Sequence, residues 1–132
     1  MGVAAADLAA VPLFASLPEA ALEELAGWFD DKDTSPGVRL AGEGASGYTF
    51  FVIADGNAVV TVNDAEIATL GPGDFFGEMA ILGDGRRSAN VTTTTPARLF
   101  VMFGTEFRLL QKRYPEVAAQ LDAAMAERGG AA

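Results

Sequence analysis

The chain of 132 residues contains no cysteine and no histidine. The absence of cysteine excludes disulfides, thiolate metal sites and thiol nucleophiles. The absence of histidine removes the commonest general base and the commonest ligand of transition metals. A metal-dependent enzyme on a small β-barrel, of the cupin type, is therefore disfavoured, and no nucleophile–base pair can be assembled from the remaining residues. We predict that the chain is not an enzyme, has no metal site and needs no cofactor.

Positive charge is also scarce. Nine lysines and arginines stand against 18 aspartates and glutamates, which gives a formal net charge of −9 at pH 7. Because a nucleic-acid backbone requires a basic protein surface, direct binding to nucleic acid is not expected. The overall field also repels a small anion, so that binding of such a ligand would depend on short-range donors gathered at one site.

Long apolar runs are missing as well. A membrane helix needs about 20 predominantly apolar residues, and the uninterrupted runs here are far shorter. The chain does not open with the basic and apolar regions of a secretory signal. We therefore expect no membrane insertion and a cytoplasmic location. Half of the residues are apolar and nine are phenylalanine, which is enough for the core of a single domain over residues 1–132.

The periodicity of the chain changes twice. A helical lead-in is expected over residues 1–34, where Ser16 and Glu19 have the spacing of a capping box with Ser16 as N-cap. An apolar stripe with helical spacing follows it, formed by Leu22, Leu25, Ala26 and Phe29. Short β-branched and apolar runs then alternate with turn residues over 35–103. They predict strands at 48–53, 58–62, 66–70, 91–95 and 98–102. Helical periodicity returns over 104–128, with a new helix beginning at Pro115.

Short strands at such close spacing favour a compact antiparallel barrel or jelly roll. The predicted fold class is mainly β with flanking α: an antiparallel β-roll (a jelly roll, or double-stranded β-helix) with an N-terminal helix and C-terminal helices. Residues 77–82 alone interrupt the β pattern with a helix-like segment. A helical turn inside a roll is a position where a ligand pocket is expected.

This segment carries the most informative residues. Gly77 follows the strand-like Phe76 and opens the turn, so that backbone N–H groups without a helical partner face whatever lies at its start and attract an anion. Glu78 is an acceptor suited to a sugar hydroxyl. Arg87, nine residues later, brings a planar cationic fork suited to a phosphate. One carboxylate and one guanidinium suggest a nucleotide with a single phosphate whose charge is delocalised.

These residues resemble the phosphate-binding cassette of cyclic nucleotide-binding domains. The family pattern is F-G-E-aliphatic-A-aliphatic-aliphatic, a short loop, and then P-R-small-A-x-V. The sequence matches it at Phe76, Gly77, Glu78, Met79, Ala80, Ile81, Leu82, Arg87, Ser88, Ala89 and Val91. It departs from the pattern at Arg86, where the family often has proline. The cassette thus covers residues 76–91, and the resemblance extends over most of the chain.

The resemblance implies a role for each residue. Arg87 and the amides at Gly77 bind the phosphate, the Ser88 hydroxyl and the Ala89 N–H reach its oxygens, and Glu78 binds the ribose 2′-hydroxyl. The candidate wall for the base consists of Val62, Ala68 and Met79. In some relatives a side chain of the last helix closes over the base, a part that Arg128 could take. Family members that prefer cGMP often have threonine at position 88 and many cAMP binders have alanine, so serine is intermediate, and cAMP is favoured over cGMP.

Ordinary structural interpretations stand beside these roles. Arg87 could be a surface residue paired with Asp84, with Arg86 as the phosphate ligand instead. Arg128 could simply complement the dipole at a helix C-terminus. Val62 and Ala68 could be plain core.

The whole chain has two interpretations. The first is a cyclic-nucleotide sensor that switches its flanking helices, similar to the sensor domains of bacterial cAMP receptors and the C-terminal domains of prokaryotic cyclic-nucleotide-gated channels. Such a domain is either a stand-alone module or a regulatory part of a channel or transcription factor, and its effector is unknown. The second is a ligand-free structural or protein-interaction module on the same fold. The joint presence of Gly77, Glu78, Arg87 and Ala89 argues against the second interpretation.

Overall fold

The computed structural model describes residues 3–41, 49–77 and 89–128, with the backbone alone for residues 41 and 124–128. In these ranges, three helical segments come first, eight strands follow, and two helices come last. They are α1 Ala5–Ala9, a 3-10 turn Pro12–Phe14, α2 Glu19–Ala26, β1 Asp30–Thr34, β2 Arg39–Ala41, β3 Thr49–Asp55, β4 Ala58–Val62, β5 Ala65–Leu70, β6 Phe75–Phe76, β7 Asn90–Thr93, β8 Ala97–Phe103, α3 Gly104–Arg113 and α4 Pro115–Arg128. Within these residues, no helix has both the length and the apolar character of a membrane span.

The strands form two antiparallel sheets of four rather than one closed barrel. One sheet has the order β1-β8-β3-β6 and the other the order β2-β7-β4-β5. The predicted antiparallel roll with flanking helices is therefore confirmed. The five predicted strands correspond to β3, β4, β5, β7 and β8, and the bounds of β4 agree at both ends. The short helix predicted inside the roll falls outside the described residues.

The first strand was missed by the sequence analysis, which placed it in the helical lead-in over residues 1–34. Its sequence, Asp-Asp-Lys-Asp-Thr, shows no apolar alternation. Among the described strands it lies at the edge of its sheet and pairs with β8, with Asp31 opposite Phe100. Charged residues on an edge strand discourage pairing with other chains, which explains a strand without apolar residues. The roll therefore begins at Asp30 rather than at residue 35.

The predicted capping box at Ser16 is wrong. Helix α2 begins at Glu19, its N-cap residue is Pro18, and no side chain caps it. A helix capped by Ser16 would place Leu17 in the helical conformation directly before a proline, which the Pro18 ring disfavours. The four residues of the predicted stripe, Leu22, Leu25, Ala26 and Phe29, are all buried. The first three lie on α2, whereas Phe29 lies beyond its end at Ala26.

Two apolar clusters lie on opposite faces of the sheet that contains β3. Phe50 and Val52 face the helices, whereas Phe51 and Ile53 face the second sheet, as the alternation of a strand requires. The helical cluster also contains Leu8, Leu13, Phe14, Leu22, Leu25, Phe29, Phe100, Met102, Phe107, Leu110, Val117 and Leu121. The inter-sheet cluster also contains Ala58, Val60, Phe76, Ala89, Val91, Ala97 and Leu99. The candidate site borders the inter-sheet cluster.

Candidate ligand-binding site

Phe76 anchors the chain at the point where the cassette leaves the roll. It lies on β6, which pairs with β3 so that Phe76 stands opposite Phe51. The two rings are stacked, with centroids 4.7 Å apart and planes 12° from parallel. Only 3% of Phe76 is exposed. Burial and stacking of this kind are among the stronger apolar contacts in a core, so the start of the cassette is held firmly.

Gly77 turns the chain directly after this anchor. Its φ angle is +97°, a conformation that glycine adopts freely and a residue with a Cβ atom adopts only with strain. A glycine is therefore needed here by the backbone itself, whether or not a ligand is bound.

The chain returns to the roll at Ala89. This residue is buried and belongs to the same inter-sheet cluster as Phe76. Val91, two residues later in β7, pairs with Val60 of β4. Both ends of the intervening segment are thus fixed in one cluster. The segment itself, with Glu78, Met79, Ala80, Arg87 and Ser88, lies outside the described residues.

Val62 and Ala68 lie on the inner face of the second sheet. Ala68 stands opposite the buried Val60, and directly opposed residues of an antiparallel pair project from the same face. Val62 is half-buried and packs on the inter-sheet cluster, whereas Ala68 is exposed. Since β5 is the edge strand of its sheet, the apolar inner face opens to solvent here. The structure therefore brings an accessible apolar surface next to the cluster that holds Phe76 and Ala89.

Arg128 is the last described residue of α4. For this residue the structure describes the backbone only. Its two interpretations, a cap over the base or a cation at a helix C-terminus, both stay predictions.

A second arginine, Arg98, is held by carboxylates that the sequence analysis did not connect with it. Its Nε and Nη2 lie 3.0 and 2.7 Å from the carboxylate of Asp31, and Nη2 is 3.3 Å from that of Asp7. The hydrogen bond from Arg98 holds the pKa of Asp31 below its ordinary value. A cavity of about 350 Å³ lies beside this cluster, lined by Asp7, Val11, Arg98 and Phe100 among others. Because Arg98 already serves two carboxylates, the cluster ties α1 to β1 and β8 and is a poor phosphate site.

The described residues contain no group of three or more acidic side chains that could hold a metal ion. What they bring together is the two buried residues that flank the cassette, a glycine with positive φ directly after the first of them, and an open apolar surface beside them. Such an arrangement suits a ligand with a flat apolar part and an anionic part.

The family model described as "Cyclic nucleotide-binding domain" matches residues 32–114. The chain belongs to this family. The matched region of this cyclic nucleotide-binding domain runs from β1, through both sheets and the cassette, to Tyr114 at the end of α3. Helix α4 follows it.

This cyclic nucleotide-binding domain is similar to two curated relatives and to one solved structure, as follows. A cyclic nucleotide-gated potassium channel of Rhizobium etli is 34% identical over 123 residues, which are 93% of this chain and 34% of the channel. The cyclic AMP receptor protein of Thermus thermophilus is 29% identical over 122 residues, 89% of this chain and 56% of that protein. The regulatory domain of Toxoplasma gondii PKA, solved with cAMP, superposes with a TM-score of 0.84 at 21% identity, over 94% of this chain and 49% of that one. The last similarity confirms the fold. The chain spans between a third and about half of the length of these proteins.

Proposed function

We propose that this domain is a non-catalytic cytoplasmic sensor that binds cAMP in preference to cGMP and moves its flanking helices on binding. The observation that carries the proposal is the placement of Phe76 and Ala89. Both are buried in one cluster of the roll, and they enclose the segment whose residues match the cassette pattern of the family. Fixed ends limit the conformations open to a connecting segment, which reduces the entropy that it loses when it binds a ligand.

The ligand contacts follow the cassette pattern. Arg87 binds the cyclic phosphate together with the amides at Gly77, the Ser88 hydroxyl and the Ala89 N–H. Glu78 accepts a hydrogen bond from the ribose 2′-hydroxyl. Since the net charge of −9 opposes an anion, the Arg87 contact has to supply most of the attraction.

The base lies against the apolar surface formed by Val62, Ala68 and Met79. Exposure of Ala68 on the inner face supports this part of the proposal, because a planar base requires an apolar surface that it can reach. Serine at position 88 is intermediate between the residues typical of the two preferences, and the similarity to a cyclic AMP receptor protein favours adenine over guanine.

The response passes through the helices. Binding draws the cassette and then α4 toward the roll, and the flanking helices shift as a hinged unit. The ligand can shift this equilibrium only by the difference between its affinities for the two arrangements. The recipient is an effector domain or partner protein, of the channel or transcription-factor type by similarity to the relatives. A ligand-free interaction module on the same fold is the alternative.

Calorimetric titration of the chain with cAMP and cGMP tests the proposal. We expect both to bind and cAMP to bind more tightly, because position 88 carries serine rather than threonine. On the cAMP complex, amide hydrogen exchange over residues 116–128 is expected to slow, since closure of α4 protects its backbone. Absence of binding by either nucleotide at millimolar concentration would favour the ligand-free module. Binding with unchanged exchange in α4 would retain the sensor and remove the helix movement.

A further inference from the structure

Tyr114 forms the junction between the two C-terminal helices. It follows the last residue of α3 with φ −129° and ψ 75°, so it is not helical. Its N–H donates to the Leu110 carbonyl at 2.9 Å, and its own carbonyl accepts from the N–H groups of Val117 and Ala118 at 3.0 and 3.1 Å. One residue therefore ends α3 and begins α4, and any change of angle between these helices passes through it.

The side chains at this junction are tied to α2. The Tyr114 hydroxyl donates a hydrogen bond to Glu24 Oε1, and Arg113 Nη2 lies 3.0 Å from Glu24 Oε2. The half-buried Trp28 ring packs 6.3 Å from that of Tyr114. We call Glu24, Arg113 and Tyr114 the Glu24 latch. An exposed ion pair contributes little by itself, so the bond from the tyrosine to the charged carboxylate is the stronger half.

The first half of α4 lies on the opposite side of a sheet from the proposed nucleotide surface. Val117 and Leu121 are fully buried in the helical cluster, whereas Val62 packs on the inter-sheet cluster. The sheet that contains β3 separates the two clusters. Closure of the end of α4 over a base at Val62 and Ala68 would turn α4 about the non-helical Tyr114. Such a turn would act on the contacts of the Tyr114 side chain with Glu24 and Trp28.

We propose that the Glu24 latch restrains the α3–α4 junction and opposes closure of α4 over the nucleotide. The inference rests on the proposed function. A contact that is made in only one of two arrangements changes ligand affinity, whereas a contact kept in both leaves the affinity as it is. The latch therefore sets the nucleotide concentration at which the domain responds, although none of its residues belongs to the proposed nucleotide contacts.

Tyr114→Phe removes the hydroxyl and keeps the ring. We expect this variant to bind cAMP about threefold or more tightly in calorimetric titration, because closure no longer breaks the bond to Glu24. Glu24→Gln, which weakens both halves of the latch, should change affinity in the same direction. Thr105→Ala is the matched control, since Thr105 Oγ1 donates to Glu106 at 2.8 Å within α3. The affinity of this variant should equal that of the unmodified chain. Equal or weaker cAMP binding by Tyr114→Phe overturns the proposal.

Hydrogen exchange without nucleotide separates failure of the latch from failure of the proposed function. We expect residues 116–121 to exchange faster in Tyr114→Phe than in the unmodified chain, because the start of α4 loses its tether. If the unmodified chain binds neither nucleotide, the proposed function fails. The exchange rates then test by themselves whether the Glu24 latch restrains the start of α4. Equal exchange in the two chains then overturns the latch as well.

The latch also predicts a pH dependence. Burial, and then the hydrogen bond to Glu24, raise the pKa of Tyr114 from 10.0 to about 12; Glu24 and Glu116 raise it further by their charge, and Arg113 opposes them. The contribution of the Tyr114 hydroxyl to the free energy of unfolding is fully present below about pH 10, where the tyrosine is protonated in the folded and unfolded chains alike. It is lost as the pH rises through about 12. In urea unfolding between pH 9 and pH 12, the unmodified chain should lose stability more steeply than Tyr114→Phe. Parallel curves would show that the hydroxyl is free in solution.

Discussion

Arg87→Ala is expected to weaken cAMP binding at least tenfold. A hydrogen bond between charged groups contributes about 1.5–3 kcal/mol, and 1.4 kcal/mol corresponds to a factor of ten. The affinity should fall strongly because the other charges of this acidic chain repel the phosphate. Arg98 does not replace the lost guanidinium, since it is paired with Asp31 and Asp7. Calorimetric titration of cAMP measures the effect.

Two further variants make the result specific. Arg86→Ala removes the same charge one residue earlier and should reduce affinity far less. Arg87→Lys keeps the charge but loses the planar fork, so an intermediate affinity is expected. If Arg86→Ala proves to be the damaging change, the two arginines exchange roles. If the chain binds cAMP equally well without either guanidinium, the cassette account fails.

Gly56→Ala is expected to destabilise the domain by about 2–5 kcal/mol. Gly56 lies in the turn between β3 and β4 with φ +90°. A Cβ atom there would stand 2.3 Å from the Pro96 carbonyl oxygen and 2.8 Å from Ala97 Cα, both of them backbone atoms that cannot turn aside. The positive φ alone costs about 1–2 kcal/mol for a residue with a side chain, and overpacking typically adds about 1–3 kcal/mol.

Gly37→Ala separates these two contributions. Gly37 has a similar φ of +79°, but nothing lies within 4 Å of an added Cβ atom. We therefore expect it to lose only about 1–2 kcal/mol in chemical denaturation, the amount due to conformation. Equal losses in the two variants would mean that the turn can move away from Pro96 and that the close approach is not required by the fold.

The fold was predictable where local pattern and burial agree. Strands β3 and β8 are apolar on both faces and the later helices have clear periodicity, so the sequence located them, including the start of α4 at Pro115. The exceptions have separate causes. Strand β1 is stabilised by pairing at a sheet edge and needs no apolar residue, and the start of α2 is decided by Pro18 rather than by the Ser16 spacing.

The candidate site was predictable in part. Its motif is local, so the sequence identified Phe76, Gly77 and Ala89, and the structure places the two buried residues in one cluster. Pairs distant in the chain leave no local signal. Arg98 and Asp31 are 67 residues apart, and Tyr114 and Glu24 are 90 apart; each becomes visible only when the sheet or the helices bring the partners together. The binding roles of all the candidate residues stay predictions: Val62, Ala68, Phe76, Gly77, Glu78, Met79, Ala80, Arg87, Ser88, Ala89 and Arg128.

Strand β3 has a consequence for communication through the molecule. Phe50 and Phe51 are neighbours in the chain, yet one ring belongs to the helical cluster and the other stacks on Phe76. A single peptide unit thus separates the two interiors. Rearrangement around Phe76 can shift this backbone and so alter the seating of Phe107, whose ring centroid is 4.8 Å from that of Phe50. Substitutions that change only the ring volume in one cluster should therefore alter side-chain packing in the other, and this coupling requires no loop or linker.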